Sequence, residues 1–177
     1  GVFITKNNGK KWIFAGLNGR YINCFTVSGS TIFAGSYGEG VFLSRNNGQS
    51  WIAVNNGLPD GYITGLQVIG SSVFATSSNG ILYQTTNDGE SWTEVYSEFN
   101  SEICGLAASG PNLYVATWER ILLSTDKGTS WETIHSEISY LGVCNIIASD
   151  STVYAGTKNG SVFSTTNNGA SWANDKI

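Results

Sequence analysis

Apolar residues lie along this chain in short runs that are separated by polar, glycine-rich segments. Several runs alternate apolar and polar positions, as in Tyr21–Val27 and Tyr62–Val68, and this alternation is typical of half-buried β-strands. We find no segment that keeps the period of about 3.6 residues expected of a helix. The pattern therefore predicts an all-β chain built from short strands and tight turns.

An octet of fixed form occurs five times: Ser or Thr, any residue, Asn or Asp, any residue, Gly, two further residues and Trp. Its tryptophans are separated by 39, 41, 39 and 41 residues, which predicts a structural repeat. We expect the Asn or Asp to bond backbone N–H groups in a turn, the Gly to supply a positive φ, and the Trp to bury its ring. These structural positions are Asn7, Gly9 and Trp12; Asn46, Gly48 and Trp51; Asn87, Gly89 and Trp92; Asp126, Gly128 and Trp131; and Asn167, Gly169 and Trp172.

Each octet lies between two β-runs and so predicts the turn of a hairpin, whose strands we name C and D. Two further runs between successive octets predict strands A and B. Four antiparallel strands per repeat are typical of a β-propeller blade. The prediction is one domain, 1–177, with a half-blade at 1–14 and blades at about 21–54, 62–95, 102–134 and 142–174.

The predicted strands are unequal in number, because five C–D hairpins accompany only four A–B hairpins. About four and a half blades do not close a ring unaided. The chain is then part of a larger propeller, or is completed by a partner or second copy, or keeps its half-blade in an open arc. An uncovered strand edge favours association, so self-association is one of the expected partnerships.

The octets resemble the Asp box, or BNR repeat, whose usual form is Ser/Thr-x-Asp-x-Gly-x-Thr/Ser-Trp. Similar boxes occur in sialidases, xyloglucan-type endoglucanases, sortilin-type receptors and photosystem II assembly-factor propellers. The chain is most similar to secreted bacterial Asp-box repeat proteins, which implies an extracellular or periplasmic location. Four of the five boxes here carry Asn in place of Asp, and both side chains accept the hydrogen bond of the turn.

Composition excludes several classes of partner. The net charge is −4 and basic residues are scattered, which argues against nucleic acids and anionic membranes. No apolar run approaches the roughly 20 residues of a membrane span, so no membrane insertion is expected. The three cysteines include no CxxC pair and are expected to be buried free thiols. We expect no metal, since one amide or carboxylate per octet is far too few ligands for a hard cation, and no cofactor.

The resemblance places binding sites on the face formed by the D–A and B–C loops, here called the loop face, and places the octets on the opposite face. The loop-face candidates are Tyr37, Glu39, Asp60, Tyr62, Trp118, Glu119, Arg120 and Tyr140. Trp118 is the one tryptophan outside the octets, and its counterparts are aligned as Ser36, Ser77 and Lys158. It either anchors a glycan or protein ligand, or covers the neighbouring blade.

No catalytic constellation is evident. A sialidase needs an arginine triad, and the arginines here are Arg20, Arg45 and Arg120, of which Arg45 lies within an octet. Glycoside hydrolysis otherwise needs two carboxyl groups at a fixed separation, and Asp60 with Glu119 is only one of many loop pairs. The preferred function is a non-catalytic binding or scaffold module for a protein or glycan. The alternative is a fragment of a propeller glycoside hydrolase, of sialidase or xyloglucanase type, whose catalytic residues lie outside this chain.

Overall fold

The computed structural model describes residues 1–58, 61–99, 101–135, 142–150 and 152–175. These residues form short β-strands joined by turns, and they contain no helix. The half-blade comprises β1 (Phe3–Thr5) and β2 (Trp12–Phe14). Blade 1 comprises β3 (Ile22–Ser28), β4 (Thr31–Ser36), β5 (Val41–Ser44) and β6 (Ile52–Ala53). Blade 2 comprises β7 (Ile63–Ile69), β8 (Ser72–Ser77), β9 (Leu82–Thr85) and β10 (Thr93–Tyr96). Blade 3 comprises β11 (Ile103–Ser109), β12 (Asn112–Thr117), β13 (Ile121–Ser124) and β14 (Glu132–His135). Blade 4 comprises β15 (Val143–Ser149), β16 (Thr152–Thr157), β17 (Val162–Thr165) and β18 (Ala173–Asp175).

Each blade is a four-stranded sheet whose strands keep their order along the chain, and β1 and β2 form a separate two-stranded sheet. The predicted fold class, all-β with four-stranded antiparallel propeller blades, is therefore confirmed. The chain divides into two compact units. Unit 1 contains residues 1–75 and 84–93, and unit 2 contains residues 76–83 and 94–177.

Strand A of blades 1, 3 and 4 contains a β-bulge. The register with strand B shifts after Ile22, after Ile103 and after Val143. The extra residue in these strands is Asn23, Cys104 and Cys144, respectively. A bulge bends its strand and redirects one side chain.

Just after each bulge, one cross-strand pair of every such blade contains a glycine: Cys24–Gly35, Gly105–Ala116 and Asn145–Gly156. In unit 1, a Cβ at Gly35 would lie 2.7 Å from Ile63 Cγ2 of the next blade. In unit 2, a Cβ at Gly105 would lie 3.0 Å from the Ile146 backbone nitrogen. The glycine therefore lets the inner strands of consecutive blades approach closely within a unit.

The core within each unit lies between consecutive blades. In unit 2, Tyr114, Ile121 and Leu123 of blade 3 are buried in one cluster with Ile146 and Phe163 of blade 4. In unit 1, a smaller cluster joins Leu17, Ala34 and Phe42, with the half-buried Trp51 packed against it. Strand residues supply the unit 2 cluster, as the sequence pattern predicts, whereas Leu17 of the unit 1 cluster follows β2 outside any strand.

Candidate functional site

The octets form closed turns held by their own side chains. In the first octet, Thr5 Oγ1 donates to Asn7 Oδ1 at 3.0 Å and accepts the N–H of Gly9 at 3.0 Å. Asn7 Oδ1 also accepts the N–H of Lys11 at 2.8 Å. The same bonds recur in the other four octets. The polar oxygens of each turn are therefore used internally, and each octet closes its own hairpin turn.

Two consecutive residues of each octet have a positive φ, whereas the octet pattern predicts one only at the glycine. The angles are 55° at Asn8 and 82° at Gly9 in the first octet. The matching residues before the glycine are Asn47, Asp88, Lys127 and Asn168. Two positive φ angles define a type I′ turn, which suits the twist of a hairpin. Asn and Asp tolerate this conformation better than most residues, so four of the five positions carried a readable signal.

Asn and Asp occupy the third octet position and make the same turn hydrogen bonds. They differ toward the serine four residues later, because Asn donates a hydrogen bond to its hydroxyl and Asp accepts one from it. Asn46 Nδ2 donates to Ser50 Oγ at 2.9 Å. Asp126 Oδ2 instead accepts from Ser130 Oγ at 2.6 Å. Hydrogen bonds from Ser130, and then from Ser124, lower the pKa of the Asp126 carboxyl to about 2. The serine hydroxyl rotates to suit either residue, which accounts for the interchange of Asn and Asp.

Three octet tryptophans form a hydrogen bond from their own blade to the end of the D strand of the preceding blade or half-blade. The indole Nε1 of Trp51 donates to the Ala15 carbonyl at 2.7 Å, that of Trp92 to Val54 at 2.8 Å, and that of Trp172 to Ile134 at 3.1 Å. Trp131 differs, since its Nε1 donates to Gly128 within its own octet. The expected burial is wrong for Trp12, which is 60% exposed. Burial thus depends on a preceding blade and not on the octet itself.

The loop face of unit 1 presents a pair of tyrosines. Tyr37 follows strand B of blade 1, Tyr62 precedes strand A of blade 2, and the two form an isolated antiparallel bridge. Their rings meet edge to face with centroids 4.6 Å apart. Gly38 and Gly40 both donate backbone N–H groups to the Gly61 carbonyl at 2.9 Å. The B–C and D–A loops therefore meet on one face in this unit, as expected, and the tyrosine backbones are fixed.

Further loop-face residues extend this pair. Tyr37 N–H donates to the Tyr21 carbonyl at 2.9 Å, which brings a third tyrosine backbone to the pair. The exposed fractions of Tyr21, Tyr37 and Tyr62 are 78%, 62% and 41%. Arg20 Nε donates to the Glu39 carboxylate at 2.9 Å, and the Arg20 guanidinium lies over the Phe42 ring. We call Arg20, Tyr21, Tyr37, Glu39 and Tyr62 the tyrosine surface.

Trp118 lies on the loop face of unit 2, where it covers the next blade. The ammonium of Lys158 lies 3.6 Å from its ring centroid, and its Nε1 donates to the Glu102 carboxylate at 3.3 Å. Its ring also packs against Gly142, where a Cβ would lie 3.3 Å from it. Trp118 is half-buried by these contacts. Of the two roles considered for it, the geometry favours the cover of a neighbouring blade.

Of the counterparts predicted for Trp118, Ser36 and Ser77 are wrong by one residue and Lys158 is correct. Strand B ends at Ser36, Ser77, Thr117 and Thr157. Trp118 therefore corresponds to Tyr37, Ser78 and Lys158, and an aromatic residue occupies this position in blade 1 as well as in blade 3. The error arose because Ser36 and Ser77 look like loop residues although they are the last residues of a strand.

The remaining loop-face candidates differ in what the structure shows of them. Arg120 Nη2 donates to the Phe99 carbonyl at 3.0 Å, so this cation supports a loop. Glu119 is exposed, and its N–H donates to Thr117 Oγ1. Asp60 and Tyr140 lie outside the described residues. The hypothetical Asp60–Glu119 pair therefore lies outside them as well. His135 stacks on Trp172 with centroids 5.0 Å apart, which is a packing role.

The cysteines are free thiols on strand A, but their expected burial is only partly correct. Cys24 and Cys104 are half-buried and Cys144 is exposed. Burial raises the pKa of Cys24 to about 12. Burial, and then the nearby Glu102 carboxylate, raise the pKa of Cys104 to about 11. These two thiols are poor nucleophiles at neutral pH.

Within the described part of the chain, no group of three or more His, Cys, Asp or Glu side chains is arranged to hold a metal ion. Those same residues include no helix long and apolar enough to span a membrane.

Comparisons with known proteins agree on the fold. No protein-family profile and no curated protein sequence matches the chain. Among solved structures, YCF48 bound to a D1 peptide aligns with a TM-score of 0.75 and 16% identity, over 98% of this chain and 61% of that one. The chain thus spans about three fifths of that protein. An ancestral GH74 enzyme aligns with a TM-score of 0.69 and 21% identity, over 86% of this chain and 23% of the enzyme. A nidogen/laminin complex contributes a chain with a TM-score of 0.72 and 16% identity, over 86% of this chain and 64% of that one. The chain has the β-propeller fold. Identities this low leave its function to be argued from its own surface.

Proposed function

We propose that this chain is a non-catalytic β-propeller module of the Asp-box type and that it binds a protein partner through the tyrosine surface. The observation that carries the proposal is the exposed Tyr37–Tyr62 pair, held on a backbone bridge between two loops. Tyrosine supplies a large amphipathic contact with only two side-chain torsions to restrict, which makes it an efficient interface residue. Fixed loops lower the entropy lost on binding.

Ring geometry favours a polypeptide over a glycan as the ligand. A sugar ring stacks on an open aromatic face. The planes of Tyr37 and Tyr62 are 81° apart, so one ring edge meets the face of the other and the pair forms no flat platform. Two perpendicular rings instead leave a stepped apolar surface with two hydroxyl groups, and the Arg20–Glu39 ion pair adds charged groups beside it. This surface suits the mixed side chains of an extended peptide.

The fold neighbours supply support of a general kind. Two of them are described as complexes, one with a D1 peptide and one of nidogen with laminin. Propellers of this shape therefore do serve as binding modules. The proposed extracellular or periplasmic location and the Asp-box family membership rest on the octets.

Selection from a displayed library of random peptides tests the proposal. Peptides enriched on the wild-type chain are measured against the Tyr37→Ser/Tyr62→Ser double variant. Truncation of a central interface aromatic costs about 2 kcal/mol, so we expect binding to weaken by a factor of about 30 or more. The Tyr154→Ser variant, which removes an exposed tyrosine of blade 4, is the matched control and retains binding.

Three outcomes would overturn the proposal. Peptides that bind the wild-type chain and the Tyr37→Ser/Tyr62→Ser variant equally well would exclude the tyrosine surface as the binding site. Loss of binding only in Tyr154→Ser would move the site to blade 4. Glycan-array binding that disappears in the double variant, with no peptide selected, would make the ligand a glycan.

The alternative, a glycoside hydrolase fragment, is supported by the GH74 neighbour. Sialyl and β-glucan reporter substrates are expected to show no turnover by this chain. Turnover that Asp60→Asn or Glu119→Gln abolishes would overturn the proposal of a non-catalytic module.

A further inference from the structure

Two of the three cysteines occupy the same position in consecutive blades. Cys104 is the extra residue of the bulge in β11, and Cys144 is the extra residue of the bulge in β15. These two inner strands pack against each other within unit 2. Blades 3 and 4 each have all four of their strands. The two thiols therefore belong to a junction that the chain itself completes.

The backbones of β11 and β15 are in contact directly after the two bulges. A Cβ at Gly105 would lie 3.0 Å from the Ile146 nitrogen and 3.5 Å from the carbonyl carbon of Asn145. The Gly105 Cα is therefore no more than about 4.5 Å from that nitrogen, because one carbon–carbon bond adds about 1.5 Å. A disulfide joins residues whose Cα atoms are about 4.4–6.8 Å apart. Cys104 and Cys144 each directly precede a residue of this contact, so the backbones approach to disulfide range beside the two thiols.

The equivalent bulge of blade 1 shows the direction in which such a side chain extends. Its extra residue is Asn23, whose Nδ2 donates to the Ile63 carbonyl of the next inner strand at 3.1 Å. A bulge redirects the side chain of its extra residue, and in blade 1 this side chain reaches the neighbouring blade. Cys104 holds the same position in blade 3, and the residue on the facing strand of blade 4 is Cys144.

The surroundings of Cys104 agree with this placement. Burial and then the Glu102 carboxylate raise the pKa of Cys104, the Lys158 ammonium lowers it, and the Cys144 thiol raises it. Two of these neighbours, Lys158 and Cys144, belong to blade 4. Each thiol contacts only a carbonyl oxygen, Cys104 that of Glu102 at 3.8 Å and Cys144 that of Gly156 at 3.4 Å. A thiol is a weak hydrogen-bond donor, so little opposes rotation of either side chain toward the other.

We propose that Cys104 and Cys144 are a redox-active pair, and that a small-molecule disulfide such as oxidised glutathione converts them to a disulfide between blades 3 and 4. The exposed Cys144 reacts first: its thiolate attacks one sulfur of the reagent, forms a mixed disulfide and releases one glutathione thiolate. The Cys104 thiolate then attacks the Cys144 sulfur, closes the protein disulfide and releases the second glutathione thiolate. Both thiol protons pass to solvent, and the two cysteines are oxidised as the glutathione disulfide is reduced. This inference does not depend on the tyrosine surface, which lies in unit 1.

Tryptic mapping without reductant tests the pairing. Trypsin cuts after Lys and Arg, so Cys24, Cys104 and Cys144 fall in separate peptides, 21–45, 46–120 and 128–158. The folded chain is incubated with oxidised glutathione at pH 8, and the remaining thiols are alkylated in denaturant before digestion. We expect peptide 46–120 to be linked to peptide 128–158, and peptide 21–45 to carry the alkyl label.

Single substitutions separate the two thiols. Cys104→Ser is expected to keep glutathione on Cys144, because the thiolate that releases it is missing. Cys24→Ser is the matched control and should form the same linkage as the wild-type chain.

Thermal unfolding measures the effect of the bond on the fold. The bond closes a long loop and so restricts the unfolded chain. The Tm of the oxidised chain is therefore expected to rise by about 5 °C or more. The rise should persist in Cys24→Ser, disappear in Cys144→Ser and be reversed by reductant.

Three results would overturn the proposal. A glutathione adduct that persists on Cys144 of the wild-type chain would show that the two thiols do not meet. Linkage found only in covalent dimers would place the bond between two copies of the chain. A linked chain with no rise in Tm would show that the bond forms only by distorting the junction.

Discussion

Removal of one tyrosine ring is expected to have very different costs in blades 3 and 4, although the two rings occupy the same repeat position. Tyr114 is fully buried, and its hydroxyl lies 2.9 Å from Asn168 Oδ1. Tyr154 is 43% exposed. Truncation of a buried aromatic to alanine costs about 3–5 kcal/mol, because a cavity adds to the lost transfer free energy. Only about half of the Tyr154 side chain is buried, and full burial of such a side chain is worth roughly 2–3 kcal/mol. Tyr154→Ala is therefore expected to lower the free energy of unfolding by about 1 kcal/mol.

The free energy of unfolding of both variants is measured by urea titration with circular dichroism and tryptophan fluorescence. Unchanged m values would show that only stability has changed. Both residues lie in unit 2, so each variant reports on the same compact unit. Equal losses for Tyr114→Ala and Tyr154→Ala would contradict the difference in burial between the two rings. They would mean that something covers Tyr154 in solution or that blade packing contributes little to stability.

Three further predictions concern single positions. Hydrogen bonds hold the pKa of the Asp126 carboxyl at about 2, below its usual 3.8. The ionised carboxylate therefore stabilises the fold above pH 4, and this stabilisation is lost as the pH falls toward 2. Asp126→Asn should therefore fold normally at pH 7 and lose less stability than wild type over that acid range in pH-dependent urea titrations. Gly35→Ala should cost about 1–3 kcal/mol by overpacking, whereas Gly156→Ala, with open space at the same repeat position, should be near neutral in the same titration. At pH 8, alkylation followed by mass spectrometry should modify the exposed Cys144 well before Cys24, whose pKa is about 12, and the reverse order would contradict the burial described.

The repeat was predictable because its determinants are local. An octet contains all of the residues that close its own turn, so Thr5, Asn7 and Gly9 reveal their roles without knowledge of the fold. The four strands of each blade follow from the same logic of short alternating runs between turns. The number of A–B hairpins could therefore be counted from sequence.

Features that depend on a neighbouring blade were not predictable in this way. The five octet tryptophans occupy the same position of one pattern, yet Trp92 is buried against blade 1, to whose Val54 carbonyl it donates, and Trp12 is exposed. The Tyr37–Tyr62 bridge joins loops of two blades, and no local pattern pairs them. The one-residue displacement of Ser36 and Ser77 has a different origin, since the end of strand B is set by its pairing with strands A and C of its own blade.

In the proposed function the tyrosine surface binds the partner and the octets serve the fold. Amide chemical shifts of the ¹⁵N-labelled chain, followed during titration with a selected peptide, distinguish these two roles. We expect the largest shifts at Tyr37, Gly38 and Tyr62, where the loop amides lie in or beside the tyrosine pair. Largest shifts at octet amides such as Gly48 or Gly89, with the loop amides unmoved, would contradict the claim.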